Sequence, residues 1–322
     1  MNTQLSILLN KFIKDKILSI EVLSSLLNQS KDSVYRRLRG ETDFLLNEAY
    51  IIANKLEISI DALHKENISQ TIFRTKQFVF HDDAIDTIQQ YINELHTDLE
   101  KVAKAGVINL YYAAKDLPLF CFFSSATLTN FKLYFWYITL FNNSSKKLAY
   151  QQDWLPKNVV NKAIDLYRMY NQTNSVEIWN FETINSTLHQ IQYCLECGLI
   201  NTSQAHELMD AMLDFVNNLD DFARAGNKNK IGKLTMYLNE ILLLDNSVIF
   251  DLGFQHLFYL PYQTLNFLST TDENFAKQNL EWFQKQIAKS TLISGDGEKD
   301  RNKLMNHYRK EIKKYRSKIG EE

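Results

Sequence analysis

The side chains best equipped for chemistry crowd into one short run. Between Ser30 and Gly40 stand Lys31, Asp32, Ser33, Tyr35, Arg36, Arg37 and Arg39. Cations beside a hydroxyl, a carboxylate and a phenol can meet both phosphate oxygens and base edges. The planar fork of Arg36 matches the two acceptors of a guanine. Arg37 and Arg39, further along the run, are assigned to phosphates, which position a protein without reading sequence. A basic face alone is more often just a solvated surface, so the surrounding pattern has to decide.

Three other groupings hold reactive residue types. Cys194 and Cys197 form a CxxC with His189 and His206 nearby, the residue types of a tetrahedral zinc site. There is no second CxxC, and the apolar spacing from Ile184 to Cys197 is helical, so these thiols read as small core residues and no metal is expected. Ser294-Gly-Asp-Gly-Glu298 precedes a helix, and its amides could cradle an anion, although a capped turn is the commoner use of such a sequence. The aromatic cluster of Phe131, Tyr134, Phe135, Trp136, Tyr137 and Phe141 could line an effector pocket, but aromatics at helical spacing are usually core. No GxGxxG, Walker loop, HExxH or GxSxG occurs in the chain. Neither catalytic residues nor a cofactor are expected, and the chain is not read as an enzyme.

The elements around the basic run are helical. Leu5, Leu8, Leu9, Phe12 and Ile13 recur at helix spacing, giving a first helix ending near Lys16. Ser19 is placed to cap a second, short helix with a stripe of Leu23, Leu26 and Leu27, and Asn28 can take the left-handed conformation of a tight turn. Ser30 caps a third helix through Arg39, with Val34 and Leu38 facing inward and Gly40 stopping it. Lys31, Asp32, Ser33, Tyr35, Arg36, Arg37 and Arg39 are then expected to point largely outward.

The run Leu23-Ser-Ser-Leu-Leu-Asn-Gln-Ser-Lys-Asp-Ser-Val-Tyr-Arg-Arg-Leu-Arg-Gly40 resembles the bihelical unit of the lambda-repressor-like, or XRE-type, helix-turn-helix transcriptional regulators. Downstream, Leu46-Asn-Glu-Ala49 through Ala53 and Leu56 to Ser59-Ile-Asp61-Ala-Leu63 is similar to that family's fourth and fifth helices. The sequence departs from the family at Asn28 and Glu57, where glycine is frequent, and at Ser24, where alanine is frequent. The resemblance implies a five-helix domain whose third helix enters the major groove of double-stranded DNA. It puts Lys31, Asp32 and Arg36 at base-contacting positions. Tyr111 to Phe120, Phe131 to Trp136 and Ser290 to Asn302 look like segments of a poorly characterised group of bacterial helix-turn-helix regulators.

With 9 glycines and 3 prolines in 322 residues, few positions can form the turns of an all-β protein, so helix should dominate. The expected fold is mainly α. It comprises an N-terminal five-helix DNA-binding domain (1–64), a linker region (65–82) and a larger helix-rich α+β domain for sensing or association (83–322). The third part is expected to contain a small antiparallel meander over Thr235–Leu244, Ser247–Leu252 and Gln255–Leu260, and to end in a basic helix over 298–319. Residues 65–298 hold 19 Lys/Arg against 26 Asp/Glu, whereas 299–318 hold 9 against 2, so the last helix is expected to dock on the acidic body. From Leu117 to Asn143 the only charge is Lys132, but the apolar runs are too short to cross a bilayer. With no signal-peptide stretch and three cysteines, a cytoplasmic protein without membrane partners is expected.

Two functions from different classes fit this pattern. One is a sequence-specific transcription regulator, dimeric because a single such domain makes few contacts, and responding to an unidentified small-molecule or protein effector. The other is a protein-interaction adaptor whose basic helix docks an acidic partner.

Overall fold

The structure is a computed structural model that describes residues 2–14, 18–56, 71–75, 84–140, 149–241, 246–262 and 266–320. The chain divides into two compact units, Met1–Phe73 and Arg74–Glu322.

The first unit contains α1 (Asn2–Lys14), α2 (Ile20–Leu27), α3 (Lys31–Leu38) and α4 (Leu46–Leu56). The expected fifth helix falls on residues outside the described ones. Ser19 and Ser30 cap α2 and α3, their hydroxyls accepting from Val22 N at 3.3 Å and Ser33 N at 3.2 Å. Asn28 closes α2 in the left-handed conformation with φ 50°. Leu5, Leu9, Leu23, Val34, Ala49 and Ile52 form the centre of this small core.

The second unit is built on one mixed sheet. Its strands are β1 (Arg74–Thr75), β2 (Asn109–Ala114), β3 (Ser175–Trp179), β4 (Asn227–Lys228), β5 (Gly232–Leu238), β6 (Val248–Asp251), β7 (His256–Tyr262), β8 (Asn266–Thr270) and β9 (Thr291–Leu292). The spatial order is β1-β8-β7-β6-β2-β3-β5-β4, with β9 also on β5. Strands β2, β3 and β5 are parallel, whereas β6, β7, β8 and β1 form an antiparallel wing beside β2.

Parallel neighbours need long crossovers. Here α6 (Ala126–Leu140) and α7 (Lys157–Gln172) link β2 to β3, and α8 (Asn185–Glu196) and α9 (Thr202–Ala225) link β3 to β5. Side chains alternate across the sheet. Leu110, Tyr112, Trp179, Leu234 and Met236 face the main core, which also takes in α5 (Ala84–Lys104) and α11 (Glu298–Lys318). On the other face Ala113 and Ile178 meet Phe283 of α10 (Glu273–Ile287).

Two expectations are corrected. The sheet is larger than a small meander, and the strand from Thr235 onward, begun at Gly232, lies parallel to β3 instead of opening the antiparallel wing. Residues 227–233 form the β4–β5 hairpin, with Asn227 opposite Lys233 and Lys228 opposite Gly232. Apolar periodicity marks a strand but does not reveal its partner; here the partner is set by the crossover through α8 and α9.

The terminal helix docks within the second unit, as the charge asymmetry leads us to expect, and buries an apolar stripe. Leu304, Tyr308 and Ile312 are buried in the main core. Arg309 pairs with Asp220 of α9 at 2.7 Å, Arg316 pairs with Asp210 of the same helix, and the buried guanidinium of Arg301 lies 3.6 Å from Asp220.

A buried ionic network sits where the parallel strands meet the helices. Glu177, wholly enclosed, accepts from Ser175 Oγ at 2.6 Å, from Trp179 Nε1 at 2.9 Å and from the Tyr170 hydroxyl of α7. Lys228 brings its ammonium within 3.8 Å of Glu177 and 3.0 Å of Ser175 Oγ, over the Tyr170 ring. A second buried amine, Lys132, donates to Gln190 Oε1 at 2.9 Å and lies 4.0 Å from the centre of the Phe122 ring.

Removing one partner of a buried pair leaves an uncompensated charge. Glu177→Ala should therefore destabilise this unit by about 3–5 kcal/mol. Trp136, Trp154, Trp179 and Trp282 all lie in it, so tryptophan fluorescence during denaturant unfolding follows this unit, and an unchanged midpoint would contradict the assignment.

Burial lowers Lys132 to about 7 and Lys228 to about 8. The unfolded amines keep their protons to the ordinary 10.5. Between about pH 8 and 9 the unfolded chain thus binds more protons, and stability rises with pH by about 1.4 kcal/mol per unit for each amine, a rise that the buried Cys121 and Cys194 thiols, pushed up by burial, offset at higher pH. Chemical denaturation at stepped pH should show this rise, with a smaller slope in Lys132→Met.

Candidate nucleic-acid interface

Helix α3 owes its orientation to neighbours on three sides. The Ser6 hydroxyl of α1 donates to Arg37 O at 3.0 Å, and Asn10 Nδ2 donates to Leu38 O at 3.0 Å, which occupies carbonyls at the helix end. Val34 and Leu38 are buried beneath it. On the α4 side, Arg37 meets Glu48 through two parallel bonds, Nε to Oε2 at 2.9 Å and Nη2 to Oε1 at 3.1 Å. Glu48 also accepts the Leu45 N–H at 2.9 Å, closing the first turn of α4.

Of the seven sequence-predicted residues, Lys31, Asp32, Tyr35, Arg36 and Arg39 are exposed on α3 and its C-cap. Arg37 and Ser33 depart from the expected outward direction. The side chain of Arg37 is 14% exposed, and its Nη1 donates to Ser33 Oγ at 2.6 Å. Ser33 Oγ in turn donates to Gln29 Oε1 at 3.2 Å. Positions 33 and 37 are one helical turn apart and share the face turned to α4, where the Glu48 carboxylate draws the guanidinium inward. The phosphate role expected of Arg37 therefore competes with a half-buried structural pair.

Two carboxylates that pair with these cations escaped the sequence reading. Glu21, in the first turn of α2, pairs with Lys31 at 2.6 Å. Glu41 takes Arg39 through bonds of 2.6 and 3.2 Å and lies 3.7 Å from Arg36 Nε. The available signal was the equal count of 8 Lys/Arg and 8 Asp/Glu in residues 1–64.

In the second unit, groups that could have formed a site are engaged in packing. Open sheets with parallel strands bind ligands beyond the carboxyl ends of those strands. Here Thr183 Oγ1 donates to Ala114 O at 2.8 Å, the Tyr308 hydroxyl donates to Asn180 O at 2.5 Å, and Asn239 Nδ2 donates to Ser290 Oγ at 3.0 Å. Among the described residues, side chains of the chain itself take up these polar groups at that edge.

The loop at Ser294 is held equally firmly. Its Oγ accepts from Met236 N at 3.1 Å, Gly295 N donates to Ala223 O at 2.8 Å, and Arg301 Nη1 binds the carbonyls of Ile293 and Gly295 at 3.1 and 2.7 Å. Glu298 and Asp300 in the first turn of α11 would repel an anion there. Phe131, Tyr134 and Trp136 are core residues, with Phe135 and Tyr137 packed against them, while Phe141 lies outside the described residues. Cys194 is buried, His189 packs on the Tyr315 ring at 5.5 Å, and among the described residues no group of three His, Cys, Asp or Glu side chains converges as a metal site would need.

Compared with known protein families, curated proteins and solved structures, the chain matches none. No described helix is long and apolar enough to cross a membrane.

The two arginines at the base and rim of α3 separate by stability. Arg37→Ala breaks a bidentate, half-buried pair and should cost the first unit about 1.5–3 kcal/mol. Arg36→Ala, at an exposed position, should stay within about 0.5 kcal/mol. Thermal unfolding of the two variants followed by circular dichroism checks the contrast, and equal losses would refute it.

Proposed function

We propose that the chain is a sequence-specific DNA-binding transcription regulator in which the first unit reads double-stranded DNA through α3. The second unit serves association of two copies or sensing of an effector. The observation that carries this reading is the geometry of α3: a capped helix, fixed from beneath by Arg37–Glu48, with Lys31, Asp32, Tyr35 and Arg36 free of the core and presented together. This arrangement supports a reading in which the guanidinium fork of Arg36 and the short carboxylate of Asp32 reach base edges and Arg39, at the helix end, binds a phosphate. The resemblance of residues 23–63 to XRE-type regulators agrees with it. A dimer would set two such helices on half-sites about 34–36 Å apart.

Selection of bound fragments from genomic DNA, followed by titration at several salt concentrations, tests the proposal. A regulator should enrich a subset of sequences bound about 10³-fold or more above random duplex, with a steep salt slope. Arg36→Ala should then weaken the selected duplex by about 1–3 kcal/mol and relax preference at one position, whereas Arg39→Ala weakens all duplexes alike. Absence of any enriched sequence, together with capture of an acidic protein through the same face, would favour the adaptor.

A further inference from the structure

Each cation on α3 and its C-cap is already matched to a carboxylate of its own unit. The Arg37–Glu48 pair is part of the packing, but the other matches lie at the surface that a duplex would occupy. Lys31 meets Glu21 at 2.6 Å, with the two side chains 57% and 65% exposed. Glu41 stands just beyond Gly40 between two guanidiniums, engaging Arg39 through both oxygens and Arg36 at 3.7 Å. The Lys31 ammonium holds the Glu21 carboxyl down at about 2, and Arg39, with Arg36 behind it, lowers Glu41. Both carboxylates therefore stay ionised at neutral pH.

A phosphate oxygen and a carboxylate oxygen accept charge-assisted hydrogen bonds from the same donors. Where both are present they compete. Exposed pairs of this kind are weak and open readily, so they do not prevent contact with a duplex but lower its net gain. Nucleic-acid-binding domains usually carry a basic footprint, yet residues 1–64 have a formal charge of zero, 8 cations against 8 anions.

We propose that Glu21 and Glu41 are resident counterions of α3: they occupy Lys31, Arg36 and Arg39 in the free protein and hold down its affinity for DNA duplexes in general. The inference rests on the DNA-binding reading above. It implies that cation release from the duplex is partly offset, because the protein's own charges start neutralised, and that the salt dependence is shallower than the cations of α3 alone would give.

The test uses the full chain and its variants Glu21→Gln, Glu41→Gln and the double variant. Binding to a random-sequence duplex and to the selected one is measured by fluorescence anisotropy between roughly 50 and 200 mM salt. Glutamine keeps size and exposure, so the helices should stay folded and the melting temperature should fall only by the small amount that losing exposed pairs requires. The double variant should bind random duplex roughly 2- to 25-fold more tightly, and its slope of log affinity against log salt should steepen by about 1 to 2. In a Lys31→Met background the gain from Glu21→Gln should vanish, which separates a paired counterion from a general change in net charge. If wild type binds duplex with a normal salt slope and neither glutamine substitution changes affinity or slope, the inference is overturned and the DNA reading stands. If gain from Glu21→Gln persists at full size without Lys31, pairing is refuted. If neither wild type nor the double variant binds any duplex at the lowest salt while circular dichroism shows the helices intact, the DNA reading falls and the inference with it.

Discussion

The larger unit is organised around a carboxylate that has no access to water. A carboxyl group in the middle of a sheet without partners would be strongly destabilising, and Glu177 is tolerable there only because every partner arrives in place. Those partners come from different elements: Ser175 and Trp179 from its own strand, Tyr170 from the helix before it, and Lys228 from the short strand that precedes β5. Satisfying Glu177 therefore fixes several things at once. Helix α7 must present Tyr170 beside β3, and the β4–β5 hairpin must fold back far enough to bring Lys228 in. Glycine at 232 permits the accompanying close approach, since a Cβ there would lie 2.6 Å from the carbonyl oxygens of Asn171 and Thr173.

The smaller unit uses the same device at a lower degree of burial. Arg37 and Glu48 join α3 to α4 with the planar fork that suits a carboxylate, and Glu48 completes the cap of its own helix in the same gesture. A helix that has to present side chains to a partner gains from being held by such contacts, because less freedom is lost when the partner arrives. In the proposed regulator this means that α3 reaches DNA already oriented, and that what changes on contact is the pairing of exposed side chains, not the path of the backbone.

Much of this was legible in the sequence where the cause was local. Ser19, Ser30 and Asn28 announced the ends of α2 and α3 because capping and left-handed turns depend on neighbouring residues. Leu304, Tyr308, Ile312, Tyr315 and Ile319 recur at helical period, and the burial of that face follows from the sequence alone. What escaped were pairings between residues distant along the chain. Nothing near Glu177 marks Lys228 as its partner, and the outward assignment of Arg37 overlooked Glu48 because its partner lies on the following helix. Likewise, Leu234, Met236 and Leu238 alternate as any half-buried strand does, whichever way its neighbour runs.

The inward turn of Arg37 and Ser33 divides α3 into two sets of positions with different freedom to change. Ser33, Val34, Arg37 and Leu38 each touch something that holds the domain together, and substitution there is felt by the whole unit. Positions 32, 35 and 36 carry no such burden. If α3 reads DNA as proposed, a lineage could exchange those three side chains one after another, altering which sequence the surface prefers, without passing through an unstable intermediate. The scaffold would remain while its vocabulary drifted.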